Sequence, residues 1–111
     1  MGLLEIKEPN MHLIQILLPL KRRDGKPFGS QMFDTVRQQL AEAFGGITFY
    51  RNAPAEGNWV SGAEMERDQI VVAEVMTENL DQLWWRVYRH ELECAFGQQE
   101  IVIRALPIKR L

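Results

Sequence analysis

The chain has 111 residues, of which 46% are hydrophobic and 25% charged, with a formal net charge of −2. That length holds one domain around one core, and the slight acidic balance argues against a general nucleic-acid binder, which carries a basic excess. A single cysteine cannot close an intrachain disulfide, and no apolar run approaches the roughly 20 residues of a membrane span.

The opening MGLLEIKEPN shows no basic stretch followed by a long apolar run, so no secretory signal is expected. Ile6 stands where a myristoylation signal needs Ser or Thr. These features predict a cytoplasmic, soluble, single-domain protein over residues 1–111 with a flexible leader over residues 1–11.

His12 to Leu20 (HLIQILLPL) reads as a strand rich in Ile and Leu, ended by Pro19 and the charged loop Lys21 to Lys26. Ser30 suits the N-cap of a helix through Phe44. Met32, Phe33, Val36, Leu40, Ala43 and Phe44 supply its apolar face at helical spacing, and Gly45-Gly46 is a natural stop. Ile47 to Asn52 (ITFYRN) reads as a second strand. A connection around Pro54 and Gly57 follows, where Trp59-Val60 briefly resumes pairing.

Asp68 to Met76 (DQIVVAEVM) is the clearest strand, β-branched and bounded by charge. Asn79 with Gln82 three residues on matches a capping box for a second helix. Gly97 ends that helix, and Glu100 to Leu106 (EIVIRAL) is a last strand before a basic tail.

The second helix, Leu80 to Phe96, is apolar around too much of its circumference for one contact. Stepping about 100° per residue, Leu80, Leu83, Trp84, Val87, Tyr88, Cys94 and Ala95 form one stripe. Trp85, Leu92 and Phe96 widen it beyond roughly half the cylinder, against the ≳ 100° that one core contact needs. Such a helix is expected to bury two surfaces. Trp84 fits the sheet-facing stripe, and Trp85 the flank that meets a terminal segment or another subunit. Glu91 falls inside the arc.

The order strand, helix, strand, strand, helix, strand most economically gives an α+β fold of the split βαβ kind. Its four-stranded antiparallel sheet carries both helices on one face, and right-handed crossovers set the strand order 4-1-3-2. This βαββαβ pattern resembles the ferredoxin-like fold and, more narrowly, the dimeric α+β barrel proteins, over nearly the whole chain. Phe44-Gly45-Gly46, Gly57-Asn58-Trp59, the Asp68 strand and Phe96-Gly97-Gln98 also look like landmarks of small bacterial ferredoxin-like families without an established activity. The resemblance rests on element order, so it bears on fold more than on activity.

Strand alternation assigns each residue to a face. Ile14, Ile16, Leu18, Val71, Ala73, Val75, Ile101, Ile103 and Ala105 go toward the helices. Leu13, Leu17, Ile70, Val72, Met76, Val102 and Leu106 then form an open patch above the few hundred Å² that a monomer usually exposes. Sheet-to-sheet pairing of two copies would cover it, as in the dimeric α+β barrel proteins. Arg104, Gln15 and Glu74 interrupt this patch at strand centres, continued by Tyr50 or Arg51. A few placed polar groups in an apolar surface can orient a small ligand. An ion pair between Glu74 and Arg104 or Arg51 that fixes dimer register would use the same residues.

Three groups are candidate acids or bases: Glu74, Glu91 and His12. Burial of Glu91 would raise its pKa unless a cation paired with it, and an arginine partner is the commoner outcome. His90 and Cys94, at i and i+4, can touch, but no third group orients them. HELEC lacks the second histidine of a HExxH zinc site, and two ligands do not make a metal centre, so no metal or cofactor is expected. Lys21, Arg22, Arg23 and Lys26 precede a helix N-terminus and can attract an anion, although a solvated turn explains them as well. Trp59 can cap the end of a pocket.

The sequence thus predicts a homodimeric module that binds a small apolar molecule or a partner protein on its open sheet, through Gln15, Glu74, Arg104, Tyr50 and Trp59. No nucleic acid or membrane is expected as partner. The alternative is a cofactor-independent isomerase or small oxygenase of the dimeric α+β barrel type, acting on an apolar carbonyl or phenolic substrate.

Overall fold

The computed structural model describes residues 11–52 and 70–111. Its elements are β1 (His12–Pro19), α1 (Ser30–Phe44), β2 (Thr48–Asn52), β3 (Ile70–Thr77), α2 (Gln82–Phe96) and β4 (Ile103–Pro107). The four strands form one sheet in the order β2-β3-β1-β4, with all three neighbouring pairs antiparallel. This is the expected 4-1-3-2 order, and the architecture is the α+β ferredoxin-like one. The Met1–Asn10 leader, the start of the Asp68 strand and Trp59-Val60 lie outside the described residues.

The sheet sorts its residues by alternation. Ile14, Ile16 and Leu18 of β1 and Val71, Ala73 and Val75 of β3 are buried, and they join Val36 and Leu40 of α1 in the core. From α2 the core takes Trp85, Tyr88, Leu92 and Phe96, spaced so that one narrow stripe faces the sheet. Trp85 stacks on Phe44 with ring centroids 5.1 Å apart, while at the other end Phe28 meets Phe33 and Phe96 edge-on and Phe33 is tilted against Phe96. Aromatic rings thus join the two helices to each other at both ends.

Several local expectations need correction. Gly29, not Ser30, is the N-cap of α1, and no side chain caps that end. Ala43 is exposed rather than part of the apolar face. In α2 the cap is Asp81, whose carboxylate accepts from the Trp84 amide at 3.1 Å. Asn79 does not build a capping box, because its own backbone is left-handed (φ 58°). The two tryptophans also exchange roles: Trp85 is buried and Trp84 sits on the flank. Leu83 and Val87, expected in the stripe, are 66% and 51% exposed, and Cys94 and Ala95 face outward too.

The helix ends follow ordinary stop chemistry. Gly45 (φ 84°) and Gly97 (φ 62°) hold the left-handed conformation that closes α1 and α2, where a Cβ would be strained. Ile101 is buried just ahead of β4, and the Leu17 amide donates to the Val102 carbonyl at 3.0 Å. Pairing of β1 with the last segment therefore begins one residue before the named strand. No helix among the described residues is long and apolar enough to cross a membrane.

Candidate functional site

The open face of the sheet carries a continuous polar row. Gln15, at the middle of β1, lies opposite Arg104 on β4 and Glu74 on β3, so register alone aligns the three side chains on one face. Arg104 donates from Nε to Gln15 Oε1 at 2.7 Å, and Gln15 Nε2 donates to Glu74 Oε2, also at 2.7 Å. Tyr50 reaches in from β2 and donates its hydroxyl to the same carboxylate oxygen at 2.8 Å. The two charged ends fix the Gln15 amide: its carbonyl must face the guanidinium and its NH₂ the carboxylate.

The expected Glu74–Arg104 ion pair is not formed. Gln15 stands between the two, since β1 separates β3 from β4, and neighbouring strands lie about 4.8 Å apart. Arg51 takes no part either, because it pairs with Val71 and points to the other face. Among the described residues the row is not closed at its ends: neither Glu74 Oε1 nor the terminal nitrogens of Arg104 have a hydrogen-bond partner there.

Apolar side chains surround this row. Met76 and Val102 are each 46% exposed and Leu106 41%, while Leu13, Leu17 and Ile70 are half-buried. Val72 is buried between its cross-strand neighbours Leu17 and Tyr50. The hydrogen bond to Glu74 raises the Tyr50 phenol above its ordinary value, with partial burial and the carboxylate charge adding to it. The site thus offers a guanidinium fork, a free carboxylate oxygen and a phenol that keeps its proton, all set in a greasy surface.

The other candidates fall elsewhere. His12 is half-buried on the helix side of β1, in alternation with Ile14, and its Nδ1 has no partner among the described residues. It is on the opposite face from Glu74 and cannot act with it. Glu91 is exposed, and among the described residues it makes no hydrogen bond or ion pair, so the expectation of a buried carboxylate with an arginine partner is overturned. His90 Nε2 and Cys94 Sγ do meet, at 3.8 Å, on an exposed face without an orienting third group. The Lys21–Lys26 loop is a tight turn held by the Arg22 and Lys26 backbones, with Asp24 accepting from the Lys26 amide and 3.9 Å from Arg22. Trp59 lies outside the described residues. No group of three or more His, Cys, Asp or Glu side chains that could hold a metal occurs among the described residues.

The helix layer carries a further feature that no sequence pattern announces. A groove of about 570 Å³ runs between α1 and α2, lined by Met32, Val36, Gln39, Tyr88, Glu91 and Leu92. Tyr88 bridges it by donating to Gln39 Oε1 at 2.9 Å. Burial, then the charge of Glu91, pushes the Tyr88 phenol well above its ordinary value. The available signal was Tyr88 itself, a phenol on the buried stripe that needed a polar partner from the facing helix. No protein-family model matches the chain, and no curated protein matches its sequence.

Proposed function

We propose that this protein is a cytoplasmic homodimeric binding module whose working surface is the open face of the sheet. A second copy covers that face, and a small, largely apolar molecule or a partner protein is held against the polar row. The single observation carrying this reading is the hydrogen-bonded chain Tyr50–Glu74–Gln15–Arg104 crossing an otherwise apolar face that no described helix covers. A solvated face would carry polar residues at alternate positions throughout. This one carries Leu, Ile, Val and Met instead, which is the composition of a surface built to be covered. The likeness in element order to the dimeric α+β barrel proteins agrees with it.

Light scattering on the purified chain tests the first half. Twice the 12.9 kDa chain mass is expected at micromolar concentration, and a monomer there would remove the basis of the proposal. The second half predicts that any co-purifying small molecule is bound more weakly by Tyr50→Phe, which removes the phenol donor at one end of the row, while the dimer persists.

A second reading has its own observation. The Tyr50 phenol donates to an incompletely bonded carboxylate, an arrangement in which Glu74 acts as base and Tyr50 as proton donor. That would suit a cofactor-independent isomerase or small oxygenase on an apolar carbonyl or phenolic substrate. Turnover of such a substrate by wild type, lost in Tyr50→Phe and in Glu74→Gln, would favour it over simple binding.

A further inference from the structure

The polar row has a direction, and that direction selects how two copies pair. Arg104 on β4 is cationic, Gln15 on β1 is neutral and Glu74 on β3 is anionic, in line across the strands. The two charges sit two strand spacings apart, roughly 10 Å. Each keeps unused capacity on the open side: the terminal nitrogens of Arg104 and Oε1 of Glu74 have no partner among the described residues.

Two copies stacked face to face by a two-fold axis can align their strands in two ways. An axis running across the strands lays each row on its own image, so Arg104 meets Arg104 and Glu74 meets Glu74. An axis running along β1 reverses the row, so the Arg104 fork of each copy meets the free Glu74 oxygen of the other. Stacked sheets lie about 10 Å apart, within reach of an arginine and a glutamate extended from opposite sides. Like charges enclosed between apolar faces are strongly disfavoured, and an unpaired buried charge is costly as well.

Resting on the proposed sheet-face pairing, we infer that the partner is a second copy turned about an axis along β1, with two reciprocal Arg104–Glu74 contacts closing the row. The row then fixes orientation, while Leu13, Leu17, Val102 and Leu106 supply the apolar contact.

Complementation between variants tests the orientation. Arg104→Glu alone places two carboxylates at each contact, and Glu74→Arg alone places two cations there. Each single variant should dimerise at least roughly tenfold more weakly than wild type. Mixed one to one, they should form heterodimers of near wild-type affinity, because both contacts become opposite-charge pairs. The double variant R104E/E74R should self-pair as wild type does. Native mass spectrometry reads the heterodimer fraction, and circular dichroism confirms that each variant is folded. Should a charge reversal fail to fold, the salt dependence of wild-type dimerisation stands in: it should be steep, and Arg104→Gln should flatten it.

Single variants that pair as tightly as wild type would overturn the inference, since the other axis already sets like charges together. Weakened singles that no mixture rescues would overturn it too, by confining the effect to one chain. A monomeric wild type defeats the sheet-face reading itself, an outcome distinct from either.

Discussion

The two faces of the sheet are built from the same strands by opposite rules. On the helix side, Ile14, Ile16 and Leu18 are all apolar and are buried in one core with residues of α1 and α2. On the open side the intervening positions Leu13, Gln15 and Leu17 are nearly as apolar, yet no helix among the described residues covers them. Where the chain supplies its own cover, the face is dry. Where no described helix covers it, one hydrogen-bonded row crosses the face and satisfies its own polar atoms in the middle, its ends unbonded among the described residues. A row that only had to tolerate water would gain little from such internal bonding, since exposed polar groups already have water as partner. The proposed pairing of two copies through the open side would account for this difference.

The largest contrast between the faces should appear in the core of β1. Ile16→Ala removes a fully buried side chain and should cost about 2–5 kcal/mol, read as a lower urea midpoint at unchanged slope. Leu17→Ala, one residue on, should cost about 1 kcal/mol at dilution that favours the monomer, while weakening dimerisation. Equal costs at that dilution would mean that the open face is covered within one chain.

The next effect belongs to the helix layer. Tyr88 is held neutral in the fold, whereas its ordinary value is 10.0. Above that pH the unfolded chain releases the proton and the folded chain keeps it, so stability should fall as pH rises past 10.0. Tyr88→Phe should flatten this decline and lose about 1 kcal/mol at neutral pH with its bond to Gln39. Denaturation midpoints across the alkaline range provide the check.

Asp81→Ala should cost about 1 kcal/mol by removing the cap of α2. It loosens the cover of the closed face alone, so the dimer dissociation constant should not move in proportion. Smallest of all, Glu74→Gln should bring the Tyr50 phenol back toward its ordinary value with little change in stability. Tyrosinate absorbance during alkaline titration would follow it, and an unmoved Tyr50 would mean that the hydrogen bond does not control that proton.

The faces of the strands were legible in the sequence because a period of two leaves each position only one alternative, and Ile14, Val71 and Val75 agreed with one another. The row was legible for the same reason. That Gln15 bridges it was implicit in the strand order, which sets β1 between β3 and β4, but an opposite-charge pair drew attention past the neutral residue. The centre of α2 was harder to read. An arc wider than half the cylinder has no unique middle, and Trp84 and Trp85, about 100° apart, compete for it. Asn79 and Asp81 are both cap-forming residue types, and which one caps depends on a backbone conformation that no pattern specifies. The groove at Tyr88 arises from how α1 and α2 sit beside each other, which neither helix encodes alone.

Oxidation of Met76 by dilute peroxide as a function of protein concentration tests the working surface most directly. Met76 lies on the open face beside Leu13, whereas Met32 packs on the helix side as an internal control. Met76 should become protected as the chain passes from monomer to dimer, with Met32 unchanged. A dimer in which Met76 oxidises as fast as in the monomer would place the contact elsewhere and contradict the sheet-face pairing.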